Sequence, residues 1–136
     1  MPLIKNFGYF LLWLLVILYL SFTPLKNWPQ PTIFQKLYID KVVHIFMYGV
    51  LSFLLMRSVF LHQQKRMPRF DTILAVLLFS AGTGVLIEIL QPLLTAFRKF
   101  EWLDMVANAT GALTGIFLFR WYLTKERMGI ETVQKK

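Results

Sequence analysis

Apolar residues fall into four long runs separated by short polar connections. The first, between Lys5 and Lys26, is apolar on every helical face from Phe7 to Phe22, as surrounding lipid requires. Spans are predicted at about residues 6–24, 39–60, 72–91 and 103–123, each near the roughly 20 residues that cross a bilayer core about 30 Å thick. Pro24, Pro29 and Pro31 interrupt the first connection. His62-Gln-Gln-Lys-Arg-Met-Pro-Arg69 forms the second, and Pro92 with Arg98-Lys-Phe-Glu101 marks the third. Because proline removes an N–H and its ring crowds the preceding turn, Pro92 is expected to end the third helix. Ser21-Phe22-Thr23-Pro24 is not a small-residue cleavage site, so the first run is read as a retained span and not as a signal peptide.

The pattern predicts an all-α membrane protein of four transmembrane helices forming a single domain over residues 1–136, with a polar tail from 124 to 136 that frays at the cytoplasmic end. Composition agrees, with 57% hydrophobic residues and a mean hydropathy of +0.56, too apolar for an ordinary small soluble domain. The absence of cysteine removes disulfides, zinc-thiolate sites and thiol nucleophiles.

A net charge of +8 raises the possibility of nucleic acid, but the basic residues punctuate the hydrophobic runs and carry no recognition motif, so no nucleic-acid partner is expected. They act instead as topology signals. Lys5, Arg57, Lys65, Arg66, Arg69, Arg120, Lys125, Arg127, Lys135 and Lys136 collect on one side, and Lys26, Lys36, Lys41, Arg98 and Lys99 on the other. The positive-inside rule then puts both termini and the second connection in the cytoplasm, N-in and C-in, with short extracytoplasmic first and third connections. Trp28, Trp102, Trp121 and Tyr122 fall near the predicted boundaries, where amphipathic rings favour headgroups.

Ionisable groups are expensive inside a span and tend to mark function. Three clusters qualify. In the second span, steps of three and four residues put Lys41, His44 and Tyr48 on one face, with Asp40 beside them. The third span carries Glu88 and Gln91 on one face, with Gly84 a turn below. The fourth opens with Asp104 and Asn108, and the same stripe continues through Gly111 and Gly115. In the up-and-down order all three clusters lie at the outer ends of their helices, so a single outward-facing site can use them all. Competing explanations are helix capping for Asp40 and Asp104, snorkelling for Lys41, a structural hydrogen bond from His44 to Tyr48 or a neighbouring helix, and helix packing for Gly84, Gly111, Gly115 and Asn108. Glu88 has no basic residue close in sequence, and Arg98 is its expected partner if the chain turns back at Pro92.

At these residues the sequence resembles the VanZ-like family of bacterial membrane proteins. The resemblance runs over residues 21–115: Ser21-x-x-Pro24, Asp40-Lys41-x-x-His44-x-x-x-Tyr48, Glu88-x-x-Gln91, and Arg98-x-x-x-Trp102-x-Asp104-x-x-x-Asn108-x-x-Gly111-x-x-x-Gly115. It implies a multi-pass protein of the bacterial inner (plasma) membrane, in a family named for a component of glycopeptide-resistance clusters linked to teicoplanin resistance. It implies no settled biochemical activity. It also implies that the polar motif at Asp40, Lys41, His44, Glu88, Gln91, Arg98, Asp104 and Asn108 is the family's own.

The expected role is binding or modulation of an envelope component or glycopeptide antibiotic, with Arg98 and Lys41 as anion contacts and His44, Glu88 and Asn108 shaping the pocket. The expected partners are membrane lipids, a lipid-linked envelope precursor or the antibiotic; oligomeric state is left open. No cofactor is expected. A hard-metal site from Asp40, His44, Glu88 and Asp104 lacks tight ligand spacing in the sequence, so no metal is expected either. A catalytic reading has His44, Glu88 and Asp104 as candidates for work on a lipid-linked phosphate or glycan. Walker, H-E-x-x-H and G-x-S-x-G motifs are missing. A third reading is a small drug exporter with Glu88 as proton carrier, although alternating access favours a carboxylate nearer the midplane.

Overall fold

The computed structural model describes residues 2–23, 33–95 and 99–134, with side chains over 5–23, 39–95 and 99–126. Four helices account for nearly all of it: α1 (Pro2–Phe22), α2 (Ile33–His62), α3 (Phe70–Leu94) and α4 (Trp102–Gln134). Each contains a stretch long and apolar enough to cross a membrane: Lys5–Phe22, Ile39–His62, Phe70–Leu94 and Trp102–Glu126. No strand occurs among the described residues.

Helix ends differ from the sequence expectation in three places. Helix α2 begins at Ile33, so Asp40 stands in its eighth position and caps nothing. Pro92 does not end α3; it lies inside the helix, which continues to Leu94. The missing Pro92 N–H forfeits a bond to the Glu88 carbonyl, but the ladder resumes at once, with Thr95 donating its backbone N–H and its hydroxyl to the Gln91 carbonyl at 2.9 and 2.6 Å. One lost bond near a helix end is tolerated where the flanking turns close. Helix α4 runs on to Gln134 instead of fraying after residue 123, since Lys125, Glu126, Arg127 and Met128 are good helix formers and no proline intervenes.

The parallel pair α2 and α4 forms the centre of the bundle. Helix α3 packs on both, and α1 lies against α2 and α3 without reaching α4 among the described residues. Ile17, Tyr48, Leu51, Met56, Ile116 and Phe119 lead the apolar core. Leu12, Leu15, Tyr19, Val42, Phe46, Leu78 and Phe117 face outward, the inside-out surface that a lipid environment solvates.

Without a hydrophobic drive between helices in lipid, close backbone approach and interhelical hydrogen bonds have to hold them together. Glycine makes the approach possible. A Cβ on Gly111 would run into the Ile45 backbone, and one on Gly115 into the Gly49 carbonyl and the Ser52 hydroxyl. Gly49 faces Gly111 from the other side, its Cβ position 3.4 Å from the Gly111 carbonyl oxygen. Ser52 then donates across the contact to the Ala112 carbonyl at 2.9 Å. Two further ties hold α1: the Trp13 indole donates to the Met47 carbonyl of α2 at 2.9 Å, and the buried Gln91 amide of α3 to the Ser21 carbonyl at 3.0 Å.

Gly111→Leu is therefore expected to destabilise the folded protein by about 1–3 kcal/mol or more through overpacking. Gly82→Leu, at a position with open space around it, should stay within about 0.5 kcal/mol. Thermal unfolding of both variants in the same detergent checks the contrast, and equal behaviour would show that the α2–α4 contact is not what holds the bundle.

Candidate functional site

Helices α1 and α3 finish at the end of the bundle where α2 and α4 enter, and the polar residues of the three inner helices meet there. Lys41 reaches from α2 into a ring of carboxylates. Its ammonium donates to Asp104 Oδ1 at the start of α4, to Glu101 Oε2 just before it (2.9 Å) and to Asp40 Oδ2 beside it (3.4 Å). Asp104 is buried and Glu101 half-exposed. Lys41 therefore does not snorkel to the interface, and with three carboxylates around it the ammonium offers little to an incoming anion.

His44 sits one turn further in, at the centre of the cluster. Its Nδ1 lies 2.8 Å from Asn108 Oδ1 on α4. The amide oxygen can only accept, so the ring nitrogen is the donor. The other nitrogen, Nε2, lies 3.9 Å from both Asp40 Oδ1 and Asp104 Oδ2. Glu88 approaches from α3, with Oε1 3.9 Å from His44 Nδ1. Three carboxylates thus come within 4 Å of one imidazole.

Glu88 and Asn108 are the deepest members, 1% and 0% exposed. Neither Glu88 oxygen has a hydrogen-bond partner among the described residues, and Asn108 Nδ2 has none. The absence of a side chain at Gly84 is what allows this placement: a Cβ there would lie 2.7 Å from Asn108 Nδ2 and 2.8 Å from Asn108 Cβ. Gly84 therefore belongs to the site as well as to the packing, because it is the surface on which the His44 partner rests.

Of the predicted residues, Asp40, Lys41, His44, Glu88, Asp104 and Asn108 converge. Tyr48 is fully buried on the same face of α2, a turn below His44. Gln91 spends its amide on the tie to Ser21. Arg98 lies outside the described residues, and among them it is His44 that approaches Glu88, with Nδ1 3.9 Å from Oε1. Glu101 is not among the residues predicted from spacing, because a carboxylate outside every span reads as an ordinary loop residue. Its position three residues before Asp104 was the available signal. Gly49 and Ser52, which the α4 stripe needs as its counterpart on α2, are likewise absent from the predicted set.

A family profile described as VanZ/LLP1 matches residues 6–123. No curated protein and no solved structure matches the chain. The chain belongs to the VanZ-like family, and the match extends beyond the motif residues to all four spans.

The ring around Lys41 predicts unequal couplings. Removing one partner of a buried pair leaves an uncompensated charge costing about 3–5 kcal/mol, whereas an exposed pair contributes about 0–1 kcal/mol. A double-mutant cycle of Lys41→Met with Asp104→Asn should therefore give a coupling well above that of Lys41→Met with Glu101→Gln, both read by unfolding in detergent. Equal couplings would mean that water reaches Asp104 as freely as Glu101.

Proposed function

We propose that this VanZ-like membrane protein binds and modulates a cell-envelope component at the extracytoplasmic face of the bacterial plasma membrane, and that it thereby acts in envelope maintenance or in glycopeptide, teicoplanin-type resistance. The observation that carries the reading is unmet hydrogen-bonding capacity: Glu88 and Asn108 hold polar atoms unpartnered among the described residues, at the base of a cluster whose rim is formed by Asp40 and Glu101 with the buried Asp104 beneath them. Buried polar groups without partners are costly, and a ligand that supplies donors removes that cost.

The chemistry of the rim selects the ligand class. Four carboxylates surround one lysine and one imidazole, so hydroxyl and amine donors are favoured over bare anions. Lys41 accordingly serves to hold Asp40, Glu101 and Asp104 in place. A sugar headgroup of a lipid-linked precursor, or the glycan and amine of a glycopeptide, has the required donors. The excess of Lys and Arg at the termini and the second connection supports a cytoplasmic location for both, and in that orientation the cluster lies at the outer headgroup level.

One feature favours an enzyme as the second reading: His44 Nε2 stands between two aspartates, as a general base held by carboxylates would. The exporter reading loses support from depth. Glu88 lies six residues, about 9 Å along the axis, from the helix midpoint at Gly82, towards the site end.

Purified protein in nanodiscs, titrated with a lipid-linked peptidoglycan precursor and with teicoplanin, should bind at least one of them saturably. Asp104→Asn and Asn108→Ala should each weaken binding about tenfold or more, with no product formed. Turnover that disappears in His44→Ala would replace binding by catalysis, and no binding of either probe would overturn the proposal. Orientation is tested separately: a cysteine at Lys65 should be labelled only from the cytoplasm and one at Lys99 only from outside. The reverse pattern would place the site in the cytoplasmic leaflet.

A further inference from the structure

The hydrogen bonds around His44 leave three acceptors facing one another. Because Nδ1 carries the proton donated to Asn108 Oδ1, the neutral ring presents a lone pair at Nε2. That lone pair faces Asp40 Oδ1 and Asp104 Oδ2, both at 3.9 Å. Lys41 does not fill the gap between them. Its ammonium is bonded to the opposite oxygens, Asp40 Oδ2 and Asp104 Oδ1, so each aspartate turns one oxygen to the lysine and the other to the imidazole. Two carboxylate oxygens and a nitrogen lone pair repel one another unless positive charge lies between them. One ligand atom from each of Asp40, His44 and Asp104 lies within 4.8 Å of the others, close enough for modest side-chain rotation to bring all three onto a single ion.

We propose that Asp40, His44 and Asp104 form a binding site for a first-row divalent metal ion of the zinc class, with Asn108 and Glu88 as its supporting groups. An imidazole with two carboxylates suits such ions, whereas calcium takes a larger all-oxygen shell. The supporting contacts have the arrangement that metal-binding histidines use, in which the far ring nitrogen donates to a carbonyl or carboxylate and so fixes the tautomer. Asn108 supplies the carbonyl at 2.8 Å.

Glu88 is the independent indication. It is almost completely buried, neither oxygen has a partner among the described residues, and Oε1 points at the proton-bearing side of the same ring at 3.9 Å. Asp40, Glu88, Glu101 and Asp104 carry four carboxylates, and the Lys41 ammonium reaches three of them. An ion at Nε2 draws electron density from the ring, strengthens Nδ1–H as a donor towards Asn108 and Glu88, and offsets the charge that Lys41 does not reach. Three protein ligands leave coordination positions free. Asp40, the most exposed of the three ligands, puts them at the rim, where a headgroup oxygen can enter. The metal site uses the same cluster as the proposed envelope ligand but does not depend on that reading.

The test uses the full chain, without a histidine tag, in nanodiscs. Titration with Co²⁺ should produce a ligand-field absorption band saturating at one ion per chain, and Zn²⁺ should displace it. His44→Gln and Asp40→Asn should each weaken binding at least tenfold, and Asn108→Ala by about 10- to 100-fold through loss of the supporting contact. His62→Gln, changing the other histidine of the chain at the opposite end of α2, should leave binding intact. Should the site variants fail to fold, pulsed electron paramagnetic resonance of the wild type with Mn²⁺ decides the matter, one coupled imidazole nitrogen being expected. No saturable Co²⁺ binding, binding unchanged in His44→Gln, or a Mn²⁺ signal without imidazole coupling would overturn the site. Metal binding without capture of the precursor or teicoplanin would refute the envelope reading alone, and capture of either by a protein that shows no saturable metal binding would refute the metal site alone.

Discussion

Everything at the polar end depends on how closely α2 and α4 approach. With hydrogen in place of a side chain at Gly111 and Gly115, the α4 backbone lies against Ile45, Gly49 and Ser52, and this contact sets the rotation and the register of both helices together. The helices run parallel, so facing residues stay within a limited band of offsets: 60 from Ser52 to Ala112, 63 from Lys41 to Asp104, 64 from His44 to Asn108, and 66 from both Ile45 to Gly111 and Gly49 to Gly115. A shift of one residue along this seam would rotate Asn108 by roughly 100° and take it away from His44. The glycine stripe and the polar stripe are therefore one feature, the first holding the distance at which the second can form.

Helix α3 completes the site by a similar device. Gly84 lets Asn108 lie against its backbone, and one turn later Glu88 comes to the imidazole. Below the cluster, Tyr48, Leu51 and Ile116 close the interior with apolar surface, so charge in the cluster is shielded from water on its inner side and interacts more strongly than at an open surface. The Lys41 ring lies nearer the membrane boundary, with half-exposed Glu101 at its edge. Depth thus grades the site, from a wetter ion-pair ring to a dry carboxylate.

That gradient relates the two proposals. A rim of acceptors suits a headgroup rich in donors, and the pair of aspartate oxygens turned to His44 suits a cation. An ion with free coordination positions at that depth would present positive charge to a headgroup oxygen where Lys41 cannot. Binding of an amphiphile at the edge of the bundle requires no channel through it.

Much was legible in the one-dimensional pattern. Four runs of near-bilayer length, polar clusters at alternate ends of successive spans, and a Gly111–Gly115 stripe in line with Asn108 follow from helical periodicity, because spacing alone decides which residues share a face of one helix. Which faces meet is a property of pairs of helices, and it was decided by tertiary packing. The engagement of Lys41 by Glu101 and Asp104, the pairing of His44 with Asn108, and the use of Gln91 to tie down Ser21 all cross between segments that the sequence keeps apart. Pro92 also escaped a local rule, because a helix with one bond missing persists where neighbouring turns and packing hold it. Periodicity along the chain sets the spans and the residues able to form a site; the close approach of α2, α3 and α4 at Gly84, Gly111 and Gly115 selects which of them touch, since contact distance and rotation are fixed only when two helix surfaces are brought together.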